Sequence, residues 1–215
     1  MNRTSFVQNC VEKILELAEK NNIAKPYVAL ELFAGTGEIY TASLAKHCSK
    51  LYGYDINLAK KQDFLTNIPN GEFICLDVIK NLNESLLKSE EINIISIDNP
   101  LGFFGENKEY CEHFDFINQL YKLIQKKSIL AFNIVKKPYN YQQNERWNIK
   151  RQSFYNKKFV ELDLDYAKRF YVESLQKQGI KVFDSQIICF SKYMSLLFDC
   201  QGIFWKRFSK IALMR

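Results

Sequence analysis

Histidine is scarce in this chain and paired cysteines are missing. Only two histidines, His47 and His113, occur in 215 residues, and none of the six cysteines belongs to a C-x-x-C pair. Neither a zinc site nor a disulfide framework is therefore expected, and no metal ligand set is proposed. Cys10, Cys48, Cys75, Cys111, Cys189 and Cys200 read mostly as small core residues. No apolar run approaches the roughly 20 residues that a membrane-spanning helix needs, and the first residues lack the apolar centre of a signal peptide. A soluble, cytoplasmic protein with no membrane partner is the expectation. Internal repeats and low-complexity tracts are also missing, which excludes a solenoid.

What is present suits one α/β domain over residues 1–215, with 47% hydrophobic residues to fill a core. The chain is organised around Val28-Ala29-Leu30-Glu31-Leu32-Phe33-Ala34-Gly35-Thr36-Gly37-Glu38-Ile39. Val28, Leu30 and Leu32 alternate with Ala29, Glu31 and Phe33, and so apolar a run suits the middle of a parallel sheet. Two glycines then allow a turn in which a ligand can lie against the main chain. A helix is expected from near Glu38 through Ala42, Leu44, Ala45 and Cys48, pointing free amides at whatever is bound. A glycine pair used only for tight packing is the competing reading of these residues alone.

Spacing strengthens the ligand reading. Leu51-Tyr52-Gly53-Tyr54-Asp55 is a second short strand, and its acid lies 20 residues after Gly35. A carboxylate about 20 residues past the glycines is where ribose hydroxyls are accepted in such folds. Two further runs, Glu72 to Asp77 and Ile92 to Asp98, also end in acids. The C-terminal ends of the strands are where open α/β sheets bind ligands.

On these residues the chain resembles the class I S-adenosylmethionine-dependent methyltransferases. Glu31-Leu32-Phe33-Ala34-Gly35-Thr36-Gly37 is similar to their first motif, an acid followed by an aromatic and Gly-x-Gly. The resemblance covers roughly residues 28–135 by motif and the rest by order of elements. It implies a three-layer Rossmann-like α/β fold, mostly parallel, with one antiparallel strand near the C-terminus, and S-adenosyl-L-methionine as cofactor. By the same resemblance Gly35 and Gly37 would cradle the methionine part, with Glu31 near its amino group and Phe33 beside it. Asp55 would take the ribose hydroxyls next to Ile56. Asp77 would meet the adenine amino group, with Val78 flanking the ring. Nicotinamide-binding folds usually add a third glycine three residues after the second, and here that position is Tyr40. A methyltransferase is preferred to a dehydrogenase.

Chemistry is expected where the fourth strand ends, at Asp98-Asn99-Pro100-Leu101-Gly102-Phe103-Phe104. Methyltransferases of exocyclic amino groups have Asp, Asn or Ser there, then Pro-Pro and an aromatic. The resemblance makes Asn99 and Pro100 the groups that orient an amino group, with Phe103 and Phe104 near a flat base. The sequence departs from that pattern, since Leu101 replaces the second proline and Gly102 the aromatic. Asp98 as acceptor or general base is the alternative, and an ordinary Asn-Pro turn is another.

A second feature follows the fifth strand, Ser128 to Val135. From Lys136 to Lys158 basic residues interleave with aromatics, including Arg146, Trp147, Lys150 and Arg151. That mix can grip phosphates and stack bases, and the net charge of +6 agrees in sign; a solvated basic helix is the plainer reading. Nucleic acid, DNA or RNA, is the expected partner, with a base amino group the favoured acceptor. A small molecule or protein substrate, or a non-catalytic binding module, are the alternatives.

The remaining segments complete the layout. Ser5 to Lys20 shows helical spacing at Val7, Val11, Ile14, Leu15 and Ala18, and the spacing predicts helices over 57–67, 81–91 and 110–127. Phe114, Ile117, Leu120 and Ile124 face the core in the last of these. A helix capped by Asp163 or Asp165 and ended by Gly179 precedes two strands, Ile180 to Phe190 and Met194 to Asp199. Ile203 to Phe208 fits either an edge strand or a surface patch.

Overall fold

In the computed structural model the described residues are 3–81, 92–98, 102–124, 126–136, 145–158, 161–190 and 193–202. Seven strands form one sheet: β1 (Val28–Leu32), β2 (Lys50–Asp55), β3 (Gly71–Cys75), β4 (Ile94–Ile97), β7 (Ser128–Val135), β8 (Ile180–Phe190) and β9 (Tyr193–Gly202). Their order is β3-β2-β1-β4-β7-β9-β8. Contacts within β3-β2-β1-β4-β7 are parallel, while β9 runs antiparallel to both its neighbours. Two short strands, β5 (Phe103–Phe104) and β6 (Tyr110–Cys111), form a separate antiparallel hairpin.

Alternation along the strands divides the core into two layers. Ala29, Leu51, Ile94, Ile129 and Leu197 bury against α1 (Arg3–Lys20), α2 (Tyr40–Ala45) and α3 (Lys61–Asn67). Leu30, Leu32, Tyr54, Ile95, Ile97, Leu130 and Phe132 face the other way, onto α5 (Glu145–Tyr155), α6 (Leu164–Lys177) and the segment around Ile117 and Leu120. Both faces of β1 and β4 are thus covered, as a parallel sheet requires. Chain order reverses on either side of β1 and β4, so a crevice opens at their C-terminal ends.

Most elements fall where their periodicity places them. Helix α1 buries Val7, Val11, Ile14 and Ala18 as expected, with Leu15 packed beside them. β7 matches the sequence reading to the residue, and Asp163 caps α6 by accepting the Tyr166 N–H at 2.8 Å. The predicted helix over 57–67 is a 3-10 turn, Leu58–Lys60, leading into α3. Of the predicted helix over 81–91, only Asn81 lies among the described residues, as the end of α4 (Val78–Asn81). Ile203 to Phe208 lies outside them.

Two helices differ from expectation. The helix after the glycine turn starts at Tyr40 rather than Glu38 and ends at Ala45, because Ile39 has φ 50° and cannot open a helix. Residues 110–127 are not one α-helix: Tyr110 and Cys111 pair with the preceding phenylalanines, and a 3-10 helix spans Ile117–Lys122. The Asp115 carboxylate accepts the Cys111 N–H at 2.9 Å, which stabilises a turn. Phe114, Ile117 and Leu120 are buried as expected, and their spacing of three suits a helix with three residues per turn.

Candidate active site

The turn after β1 is built from unusual backbone. Phe33, Gly35, Gly37 and Ile39 all have positive φ, at 62°, 60°, 72° and 50°. Glycine is needed at Gly37, where an added Cβ would lie 2.7 Å from Ile68 Cδ1. At Gly35 the same Cβ would meet nothing within 4 Å, because this glycine borders a cavity.

That cavity is about 690 Å³ and lies at the C-terminal edge of β1, β2, β3 and β4. Its wall includes Phe33, Gly35, Gly37, Asp55, Ile56, Asp77, Val78, Asp98 and Phe104, all anticipated from the sequence. Asn99 and Pro100 lie outside the described residues. Thr36, Glu38 and Ile39, from the same stretch as the glycines, also line it, as do Thr41, Lys60, Leu76, Ile79, Lys80, Gly105, Glu106, Glu109 and Tyr110, which no sequence motif singled out.

Asp55 holds the turn in place. One carboxylate oxygen accepts the Gly35 N–H at 2.9 Å and lies 3.2 Å from Lys60 Nζ, while the other accepts the Asn57 N–H at 2.8 Å. Asp77 similarly accepts the Ile79 N–H at 3.1 Å and lies 3.5 Å from Lys80 Nζ. Both acids at this end of the cavity are therefore paired with a lysine.

Glu31 occupies a different place from the one implied by the resemblance. It is fully buried, is not part of the cavity wall, and accepts the backbone N–H of Asp98 at 2.9 Å through Oε1. Its other oxygen has no hydrogen-bond partner among the described residues. Register places it opposite Ser96 on β4, whose hydroxyl lies 3.2 Å from that of Tyr40. Burial pushes the Glu31 carboxyl up to about 8, and the nearby Asp98 carboxylate adds to the rise; the Ser96 hydroxyl and the Asp98 N–H oppose it. At neutral pH Glu31 therefore holds a proton. Asp98 is also bonded through Oδ1 to the side-chain amide of Asn133 on β7, a partner that no motif indicated.

Three rings that touch one another line the cavity. Phe104 meets Phe33 edge-on at 5.4 Å between centroids and Tyr110 at 5.5 Å. Phe103, its neighbour on β5, does not line the cavity and instead lies under the Arg146 guanidinium at 4.6 Å.

The basic aromatic segment divides into a buried and an exposed part. Trp147, Arg151 and Tyr155 follow one another at intervals of four along α5 and are all buried. Trp147 donates its indole N–H to Glu112 at 2.9 Å, and Arg151 stacks between Trp147 and Tyr155 at 5.0 and 5.3 Å. Trp147 and Arg151 are thus not available to bind a substrate, which corrects the sequence expectation: a tryptophan on the inner face of a helix fills core. Around them, Glu112 is pushed up to about 7 by burial, against the pull of Arg151 and Trp147. His113 is pressed down to about 3 by burial and by Arg151, and it shares a hydrogen bond with the Tyr171 hydroxyl. Arg146 and Lys150 lie on the outer face; Arg146 donates to the Lys108 carbonyl at 2.8 Å, and Lys150 lies 3.8 Å from Asp115.

Among the described residues no helix is long and apolar enough to cross a membrane, and no cluster of three or more metal-ligating side chains occurs. Cys10, Cys48, Cys111 and Cys200 are buried and Cys75 and Cys189 exposed, all as free thiols.

No protein-family model matches the sequence, and no curated protein sequence matches it. Solved structures do. Magnesium protoporphyrin IX methyltransferase from Synechocystis PCC 6803, with S-adenosylhomocysteine bound, superposes with TM-score 0.56 at 12% identity, over 93% of this chain and 84% of that one. The N-methyltransferase NodS from Bradyrhizobium japonicum WM9, also with S-adenosylhomocysteine, gives 0.55 at 13% identity, over 90% and 87%. A Pyrococcus horikoshii protein described as a candidate RNA methyltransferase gives 0.56 at 13% identity, over 93% and 84%. The fold is the Rossmann-like methyltransferase fold. Here β9 lies between β7 and the edge strand β8, and the glycine turn after β1 stands at the crevice.

Proposed function

We propose that this protein is an S-adenosylmethionine-dependent methyltransferase whose acceptor nitrogen sits beside Asp98. The observation that carries the reading is the cavity at the sheet's switch point, with the open face of Gly35, two carboxylates and Asp98 on one continuous wall. The chain's residues fit the cofactor. Gly35 leaves room for a ligand against the main chain, and Asp55 and Asp77 supply acceptors for ribose hydroxyls and an adenine amino group. Phe33, Ile56 and Val78 offer apolar surface for a ring.

When bound, the cofactor supplies a methyl group on a positively charged sulfur, activated for attack by a nitrogen lone pair. Asp98 accepts a hydrogen bond from the acceptor nitrogen, aims its lone pair and receives the proton released on alkylation. Glu31 and Asn133 hold Asp98 in that position from the two adjoining strands. Asn99 and Pro100, expected to orient the same nitrogen, follow directly in the chain.

A second reading makes the acceptor the amino group of a nucleic-acid base. It is favoured by the outer face of α5, where Arg146 and Lys150 stand next to the hairpin that carries Phe104 and Tyr110. The structural neighbours do not choose, since their names include a porphyrin and a ribosomal protein L11 methylase. Methyl transfer from tritiated cofactor to DNA, RNA, protein and small-molecule fractions of a cell extract separates these acceptors. Label in none of the fractions, with a folded protein that binds the cofactor, would count against methyl transfer and for a binding module.

A further inference from the structure

We infer that the acceptor entering beside Asp98 is a flat amine bound as a cation, and that no phosphate enters this end of the cavity. The inference deepens the proposed function and rests on its placing of the acceptor at Asp98. Acids outnumber cations on the wall. Asp55 and Asp77 are each matched by a lysine on the same wall, Lys60 and Lys80. Glu38, Asp98, Glu106 and Glu109 line the cavity as well, and no further lysine or arginine among the described residues does.

Two cations of α5 are engaged elsewhere. Arg146 is bonded to the Lys108 carbonyl and lies over Phe103, and Lys150 is turned toward Asp115; none of these residues lines the cavity. A phosphate placed here would face four carboxylates with no lining cation beyond Lys60 and Lys80, and because Glu38, Glu106 and Glu109 are exposed their repulsion weakens as salt rises. An ammonium would be drawn in by the same groups.

Shape is an independent observation. Phe33, Phe104 and Tyr110 form a contiguous aromatic wall, with centroid separations of 5.4 and 5.5 Å. Aromatic faces attract cations through the ring quadrupole and stack on flat guests. Rings and carboxylates around one opening select a planar, positively charged amine over a neutral aliphatic one or an anion. Such an amine binds protonated and gives that proton to solvent before its nitrogen can attack, which leaves Asp98 free to take the one released on alkylation.

Calorimetry on the protein saturated with S-adenosylhomocysteine tests this with tryptamine, indole-3-propionate, adenosine monophosphate and a single-stranded oligonucleotide as probes. Tryptamine is expected to bind, more weakly as salt rises, and at least about five-fold more weakly to Glu106→Gln and to the Glu106→Gln/Glu109→Gln pair. Indole-3-propionate and adenosine monophosphate are expected not to compete with it. No tryptamine binding, unchanged affinity in both variants, or displacement of tryptamine by the nucleotide or the oligonucleotide would overturn the inference. Failure of the protein to bind S-adenosylhomocysteine at the outset would instead overturn the proposed function itself.

Discussion

Asp98 is held from both sides, by its backbone N–H on Glu31 and by the Asn133 amide on its carboxylate. A group fixed this way is preorganised to accept a hydrogen bond that strengthens as a nitrogen becomes alkylated. Asp98→Asn should lower the single-turnover rate of methyl transfer by about 100-fold and leave S-adenosylhomocysteine affinity nearly unchanged. Full activity in that variant would remove Asp98 from the chemistry. Glu31 makes a separate prediction about stability. Its folded carboxyl stands at about 8, against 4.5 as its ordinary value, so the unfolded chain releases this proton first as pH rises. The contribution of Glu31 to stability is therefore lost between about pH 4.5 and 8, with a slope of up to about 1.4 kcal/mol per pH unit. Glu112 acts in the same direction up to about 7, and His113 in the opposite one, with stability lost as pH falls from 6.5 toward about 3. Urea denaturation at pH 5 and pH 8 should show a smaller loss at the higher pH for Glu31→Gln than for the parent, and equal losses would contradict the buried, protonated Glu31. Of these residues, Glu31 and Asp98 are legible from their places in strands that end in acids. Asn133 is not, because its partner is set by lateral register between β4 and β7 rather than by any spacing in the chain.

At the scale of elements, the glycine turn is the most demanding piece. Gly37→Ala combines a φ of 72° with a Cβ 2.7 Å from Ile68, and it should cost at least about 1–2 kcal/mol in a chemical denaturation series. Helix α5 carries the clearest contrast between sequence and structure. Trp147→Ala should destabilise the fold by about 3–5 kcal/mol, since a fully buried ring and the hydrogen bond to Glu112 are both lost. Lys150→Ala, on the exposed face, should stay within about 0.5 kcal/mol. Comparable losses from both substitutions would contradict the two-sided helix. The strands β1, β2, β4 and β7 are readable because hydrophobic runs ending in an acid or a turn permit few alternatives. Segment 110–127 is not readable as to type, since apolar spacings of three and four serve a 3-10 turn as well as an α-helix. The inward face of α5 could have been found: Trp147, Arg151 and Tyr155 recur every four residues, which marks one side of a helix.

At the scale of the whole molecule, the strand order decides where function sits. Reversal of chain order around β1 and β4 opens the crevice, and residues separated by up to 77 positions, from Phe33 and Gly35 through Asp55 and Asp77 to Asp98 and Tyr110, meet on its wall. The doubly wound order was legible from alternating strands and helices, together with the glycine turn and the acid 20 residues beyond it. The charge of the cavity's far end was not, because Glu106, Glu109 and Tyr110 reach it through a hairpin with no sequence signature. The central claim is that this wall binds S-adenosylmethionine through Asp55, and titration calorimetry of the parent protein and Asp55→Asn with the cofactor tests it most directly. The variant keeps a side-chain acceptor for the turn while removing its charge, and Asp77→Asn serves as the comparison at the adenine end. One cofactor per chain, with affinity weakened by about 2–3 kcal/mol in Asp55→Asn, is the predicted result. No heat of binding by the folded parent, or an affinity equal in parent and variant, would contradict it.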